Sequence, residues 1–371
     1  MSLNFDLASC TRAVSKFSEC TKCVDVCPVE TIKIVDNIPS FTPSACVDCG
    51  GCVGVCPTEA FSLGEFSTVE FFFSILEDKD RLISCKKNLP CISVLSVEHL
   101  ISIALASDEA ITLDLGHCHN CDIKEPLYEQ ILTNIEEANF ILSSFCDKQL
   151  ISEDLAYLPI GIDIESEEDV VSSRRSFLSN ISLKGAVKNK EAFDEAVNAD
   201  DEKRFEIDDS VISKIKEHRL PDKRKILFTT LKRVTKPEQY EVVPEEEVSF
   251  TSQKFVDKSC TNCQICYRIC PTGALSSDSK FSLINFDAML CLKCRLCHDA
   301  CEIDAIGLQG GFEIKEFFEP TQHTLAKFDI KRCNECGSYF TYQGGEVICS
   351  RCAVEEDEAR RLHQNARDMN F

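Results

Sequence analysis

The sequence predicts an α+β multidomain chain, and three observations predict it. One four-cysteine pattern occurs twice in the first sixty residues and twice again between residues 260 and 301. Between these two halves, strand-like and helix-like stretches alternate. Two further C-x-x-C pairs lie beyond residue 330. A length of 371 residues accommodates several compact units. We divide it into repeat-bearing halves at 1–66 and 251–318, a small α/β domain at 67–160, a charged helical connector at 161–250, and a C-terminal module at 319–371.

Twenty-five cysteines among 371 residues are far above ordinary usage. The first residues, "MSLNFDLASC", lack the basic and apolar regions of a secretory signal. The longest apolar patch, "VEFFFSIL", is too short to span a bilayer, so no membrane insertion is expected. An internal "SRRSFL" at 173–178 has no apolar stretch after it and is read as a solvated face, not an export signal. The expected location is therefore cytoplasmic, where dense cysteine pairs bind metal rather than form disulfides. A net charge of −22 argues against nucleic-acid binding and suits docking onto a basic face of a protein partner.

The first half carries "CTKCVDVCP" at 20–28 and "CVDCGGCVGVCP" at 46–57. The second half carries "CTNCQICYRICP" at 260–271 and "CLKCRLCHDAC" at 291–301. Three of these motifs have a Phe five residues before their first Cys: Phe41, Phe255 and Phe286. The 20–28 motif lacks its leading cysteine, but "NFDLASC" offers Phe5 and Cys10 in the same frame, followed by an insertion. This is internal duplication, within a half and then of the half itself.

The spacing C-x2-C-x2-C-x3-C-P has a direct physical reading. Three closely spaced thiolates wrap three corners of a cubane iron–sulfur cluster, and the fourth turns away to the other cluster of the pair. The proline fixes φ and removes a donor where the chain redirects. By this logic the first cluster takes Cys10, Cys20, Cys23 and Cys56, and the second takes Cys46, Cys49, Cys52 and Cys27. The third takes Cys260, Cys263, Cys266 and Cys301, and the fourth takes Cys291, Cys294, Cys297 and Cys270. Zinc would need only paired C-x-x-C units, not interleaved quartets.

On these motifs the chain resembles a tandem bacterial-type ferredoxin, a polyferredoxin, over about 65 residues in each half. The resemblance implies two ferredoxin-like domains, each with two 4Fe–4S clusters, in a protein of anaerobic electron metabolism. The chain departs from the family pattern at the insertion after Cys10 and at Glu302, which stands where the other motifs have Pro.

In the middle domain, "RLISCKKNLPCISVLSVEHLISIALAS" reads as strand, turn and amphipathic helix, and "EAITLDLGHCHNC" as the next strand and turn. Cys85 and Cys91 follow the first strand, Cys118 and Cys121 the second, where ligands bind in parallel sheets. A fifth iron–sulfur cluster is the leading reading for these four. Zinc or a thiol pair exchanging with disulfide is the alternative. The layout is similar to the iron–sulfur delta subunit of methyl-viologen-reducing hydrogenases, though the cysteine spacings differ. His117 and His119 are read as flanking residues rather than ligands, and Cys146 as a buried small residue.

Residues 161–250 turn strongly charged and are expected to form a mostly helical, solvated connector. Cys333, Cys336, Cys349 and Cys352 then sit as two C-x-x-C knuckles across an expected hairpin, with "QGGE" as its turn. Four thiolates at this spacing make a closed tetrahedral site resembling a zinc ribbon, for one Zn or, alternatively, a mononuclear Fe.

No G-x-G-x-x-G after a strand, no P-loop and no hydrolytic constellation is present, so no catalytic residues are assigned. The expected function is a relay of low-potential electrons between a dehydrogenase-type donor and a reductase, as a subunit or tight partner of redox enzymes. Two alternatives stand beside it: a disulfide or sulfur-compound reductase with a catalytic cluster in the middle domain, and a metalloenzyme maturation factor.

Overall fold

The computed structural model describes residues 3–78, 81–153, 214–215 and 217–368. Within the expected connector, residues 161–213 and 216 lie outside the described residues. The chain divides into two units, the first holding most of residues 1–239 and the second all of 240–371 with residues 17–19 and 218–220.

In the first unit, β1 (Leu3–Phe5) leads to α1 (Thr11–Val14) and α2 (Lys22–Asp25). The hairpin β2 (Ile32–Val35) and β3 (Ile38–Phe41) follows, then α3 (Gly51–Val55) and β4 (Phe61–Leu63). β4 returns to pair antiparallel with β1, Leu3 opposite Leu63. Phe5, Phe41 and Phe61 gather behind the cysteine loops, with the Phe5 and Phe61 rings 4.8 Å apart. Phe5 and Phe41, two of the framing phenylalanines, are thus part of the apolar floor of the repeat.

α4 (Thr68–Glu77) is started by the Ser67 hydroxyl, which accepts from the Glu70 N–H at 3.2 Å. It leads into β5 (Leu82–Ile83), α5 (Val97–Ala106), β6 (Ile111–Asp114), α6 (Lys124–Ser143) and β7 (Leu150–Glu153). The strands form a parallel sheet in the order β5-β6-β7. Parallel strands need crossovers, and the apolar α5 and α6 supply them. Every residue of α5 from Val97 to Leu105 is buried, which a helix covered on all sides requires.

The cover comes from an unexpected place. α7 (Asp222–Leu231), inside the stretch expected to be a solvated connector, packs against α5 and buries Lys223, Arg224, Ile226, Leu227 and Leu231. Its charged residues are satisfied inside the protein, so they gave no sign of burial in the sequence.

The second unit begins before residue 251. β8 (Val242–Pro244) pairs antiparallel with β13 (Gly311–Glu313), so residues expected to close the connector are part of this fold. Between these strands lie β9 (Lys254–Val256), α8 (Ile265–Arg268), β10 (Leu275–Ser276), β11 (Leu283–Asp287), α9 (Leu296–Asp299) and β12 (Ile306–Leu308). β9 pairs β12 as β1 pairs β4, and β10 pairs β11 as β2 pairs β3. The duplication read in sequence therefore extends to strand pairing. After α10 (Lys315–Phe318), β14 (Gln322–Lys327) adds to β11.

β15 (Ile330–Arg332) and β16 (Tyr339–Thr341) form the last hairpin, and α11 (Ser350–Asp368) ends the described chain. The turn of this hairpin is the Cys333–Gly337 knuckle itself, closed by Gly337 N–H to Cys333 C=O at 3.0 Å. "QGGE" lies after β16 instead, where Gly344 and Gly345 adopt φ of 109° and 81° to swing the chain back. The second knuckle opens a helix rather than a strand.

Candidate metal centres

Cys10, Cys20, Cys23 and Cys56 line one cavity. Cys10 ends a short 3-10 turn held by Asp6, whose carboxylate accepts from Ala8 N–H at 3.2 Å and Ser9 hydroxyl at 2.6 Å. The insertion that follows is anchored by Arg12, which donates to the Cys20 carbonyl at 2.5 Å and to Asn37 Oδ1 at 2.7 Å. These bonds bring Cys20 back beside Cys10. Cys56 accepts from the Ala60 N–H at 3.2 Å. Burial pushes the Cys10 thiol up to about 12, so a ligand cation must displace its proton on binding.

Cys27 stands with the other motif. Cys52 feels, after its burial, the charges of Cys49, Cys23, Cys46 and Cys27, and Cys46 and Cys49 each feel Cys27. The fourth cysteine of each motif thus joins the three of its neighbour, and Cys23 links the two groups.

The second unit repeats this arrangement. Cys260, Cys263, Cys266 and Cys301 line one cavity, and Cys270, Cys291, Cys294 and Cys297 another. Ala305 N–H donates to Cys301 Sγ at 3.2 Å, the counterpart of Ala60 to Cys56, and Lys293 N–H to Cys291 Sγ at 3.4 Å. Lys254, buried at 3% exposure, places its Nζ 2.9 Å from His298 Nε2 and acts on Cys297. Burial and the Lys254 charge push His298 down to about 4, so this imidazole accepts the lysine's proton-bearing bond as a neutral ring.

A second buried lysine serves the first unit, and sequence reasoning missed it. Lys223 of α7 donates to the Cys56 carbonyl at 2.6 Å. Its neighbour Arg224 meets Glu98 of α5 at 2.5 Å, and Lys223 Nζ lies 3.7 Å from the same carboxylate. Against the cost of complete burial, these two cations hold the Glu98 carboxyl below its ordinary range. Glu59 closes the arrangement, accepting the N–H groups of Asp222 and Lys223 at 2.6 and 3.0 Å, so a carboxylate sits on the first turn of α7. The sequence signal was Glu98, beside His99, inside a mostly apolar helical run.

Beyond the repeats, Cys85 and Cys91 follow β5 and Cys118 and Cys121 follow β6, at the same end of two hydrogen-bonded parallel strands. Buried Asp114 ties the loops together: Oδ2 accepts from the Ser84 hydroxyl at 2.8 Å and Oδ1 from Gly116 N–H at 3.0 Å. His117 Nε2 lies 3.8 Å from Asp114, and His119 meets the Tyr128 ring edge-on, 5.3 Å between centroids. Cys146, expected to be buried at a helix end, is instead half-buried in the turn that follows α6.

At the C-terminal module, Cys333, Cys336, Cys349 and Cys352 bring their sulfurs within 4.8 Å of one another, alone in this among the described residues. Cys336 and Cys349 Sγ are 3.7 Å apart. Tetrahedral Zn–S bonds of ~2.3 Å set ligand sulfurs about 3.8 Å apart, so these four fit a single metal ion. Cys349 N–H donates to Cys333 Sγ at 3.2 Å, and the Ser338 side chain helps hold Cys336 down to about 6, a thiolate at neutral pH. No disulfide links cysteines among the described residues.

Two stretches match models of the 4Fe–4S dicluster domain, residues 18–60 and 259–306. Cys10 lies just outside the first match. No curated protein and no solved structure matches. Two 4Fe–4S dicluster ferredoxin domains are therefore present, with a four-cysteine metal-binding cluster at 333–352, and the domains point to iron–sulfur electron transfer. Among the described residues, no helix is long and apolar enough to cross a membrane.

Proposed function

We propose that the chain is a polyferredoxin that relays low-potential electrons between a dehydrogenase-type donor and an acceptor reductase. The observation that carries this reading is the interleaving of thiols, each motif's fourth cysteine grouped with its neighbour's three. Bound 4Fe–4S clusters would supply one-electron capacity at each of four quartets. The protein's part is to hold them close and set their potentials. The N–H groups of Ala60 and Ala305 aimed at Cys56 and Cys301 stabilise added negative charge on those sulfurs. The buried cations of Lys223 and Lys254 act in the same direction in each unit. Cys23 and Cys52 lie close enough to act on one another electrostatically, so electrons would have a short step between clusters.

The C-terminal four-cysteine module takes one structural zinc in this reading, since its thiolates converge on a single ion. The net charge of −22 suits docking onto a basic face of the partner enzymes. The test is stepwise anaerobic reduction of the full chain followed by electron paramagnetic resonance. Reducible 4Fe–4S signals integrating to about four spins from the two domains are expected, with partner electron transfer slowing as salt rises. Clusters that no low-potential donor reduces would overturn the relay.

A further inference from the structure

We propose that Cys85, Cys91, Cys118 and Cys121 hold a further iron–sulfur cluster of cubane size, placed beside the second ferredoxin quartet and opening to the protein surface. Three independent features lead there.

The first is convergence. The loops after β5 and β6 leave the same edge of the sheet and are locked together by Ser84 and Asp114. Cys118 feels Cys91, Cys85 and Cys121 after its own burial, and Cys85 feels Cys91 and Cys121. All four thiols therefore share one neighbourhood.

The second is spacing. These sulfurs do not draw within 4.8 Å of one another as the C-terminal four do. The four ferredoxin quartets also fall outside that limit, as suits ligands that would each take a different iron of a cubane. The middle quartet is therefore not drawn together around one ion as the C-terminal four are.

The third is a built approach between this quartet and the second cluster's ligands. The segment 91–95 lies on α3, inside the "CGGCVGVC" motif. A Cβ on Gly54 would lie 2.0 Å from the Ser93 carbonyl oxygen, and one on Gly50 2.8 Å from Val94 Cγ2. On Gly51 it would meet Leu127 Cδ2 at 2.7 Å. Backbone angle does not explain the first glycine of the motif, Gly50. Gln264 and Arg295 occupy the matching position in the other motifs with φ of 72° and 62°. Close approach explains it, and its result is that Cys49 feels the charge of Cys91. At the far side, Cys121 is exposed, so the quartet bridges the second cluster and solvent.

Occupancy stands apart from the relay reading; the added role, as the point where electrons enter or leave the first unit, rests on it. The test measures iron, sulfide and zinc per chain on anaerobically reconstituted full-length protein, wild type against Cys118→Ser and Cys121→Ser. Four ferredoxin clusters account for about sixteen irons, and we expect about four more that both variants lose, with zinc unchanged. Cys121 is exposed, so its replacement disturbs no packing and guards against loss through misfolding. Iron unchanged in Cys121→Ser overturns the proposal, as does loss of zinc instead of iron. Electron paramagnetic resonance of the reduced protein separates the two readings. A second-cluster signal that sharpens in Cys118→Ser supports the shared path, whereas iron loss without that change keeps the site and overturns its place in the relay.

Discussion

Two cysteine quartets lie outside the ferredoxin motifs, and they are held in place by opposite means. The middle quartet sits on loops at the edge of a parallel sheet whose crossover helix α5 is buried. Its loops are positioned by Asp114, by the packing of Ser93 and Val94 on α3, and by an apolar core that includes Ile83, Leu95 and Leu113. The C-terminal quartet has almost no core of its own. Beyond Cys333, Cys349 and Cys352, its packed residues are Phe340 and Ile348, and α11 is exposed and laced by ion pairs such as Arg360–Glu356 at 2.6 Å. The difference teaches that loops set by a core can hold thiols apart, whereas a module with little core depends on its four converging cysteines.

The strongest way to break this comparison is to remove the ion. Cys349→Ser should abolish the zinc and melt the 330–341 hairpin, since structural zinc contributes about 10–16 kcal/mol to folding of such modules. Metal analysis and limited proteolysis would check it, with iron unchanged. An intact, protease-resistant hairpin would show that the module folds by its chain alone.

Next in size is the buried ion pair behind the middle domain. Arg224→Met leaves Glu98 buried with only Lys223, 3.7 Å away, and should lower first-unit stability by about 3 kcal/mol or more. Thermal unfolding would show an earlier first-unit transition, with the C-terminal zinc retained.

Acid should separate the two quartets in a similar range. His99 is fully buried, and its burial, then the nearby Lys223 against Glu98, pushes it from 6.5 down to about 4. Between these values the unfolded chain binds a proton that the folded one refuses, so the stability is present above pH 6.5 and lost as pH falls toward 4. The loss is about 3 kcal/mol at most. Unfolding of the first unit followed across that window should show the decline, and His99→Gln should flatten it.

The smallest effect sharpens the comparison most. Gly54→Ala puts a methyl against the Ser93 carbonyl and should cost about 1–3 kcal/mol. Because it shifts the segment after Cys91, it should also weaken the interaction of Cys49 with the middle quartet. Arg268→Ala, at the matching exposed position of the second unit, should leave stability within about 0.5 kcal/mol. Equal effects in the two halves would mean that the glycines serve only the local turn.

The dicluster domains were legible because ligand geometry writes itself into short, fixed spacings. The Phe frame before Cys10 also pointed across the insertion to a residue that lies in the same cavity as Cys20, Cys23 and Cys56. The alternation of strand and helix was legible for the ordinary reason that buried faces have a period. What hid was polar and distant. Lys223 and Arg224 read as solvated because nothing local announces a carboxylate supplied by another helix. The "QGGE" turn was misplaced because the metal knuckle itself makes a better hairpin turn. Gly50, Gly51 and Gly54 were visible, but their purpose required knowing what lies against them.

The bond from Lys223 to the Cys56 carbonyl joins residues 167 positions apart, and this sets an order in time. A ribosome adding roughly 5–20 residues per second needs roughly ten to thirty seconds to pass from Cys56 to the helix that shelters it. Throughout that interval every thiol of the first ferredoxin domain has been made, while the cation and the helix that complete its surroundings have not. A nascent chain charged with iron and sulfide during the interval would take them up before Lys223 can reach the Cys56 carbonyl, and the late arrival of α7 would add that cation.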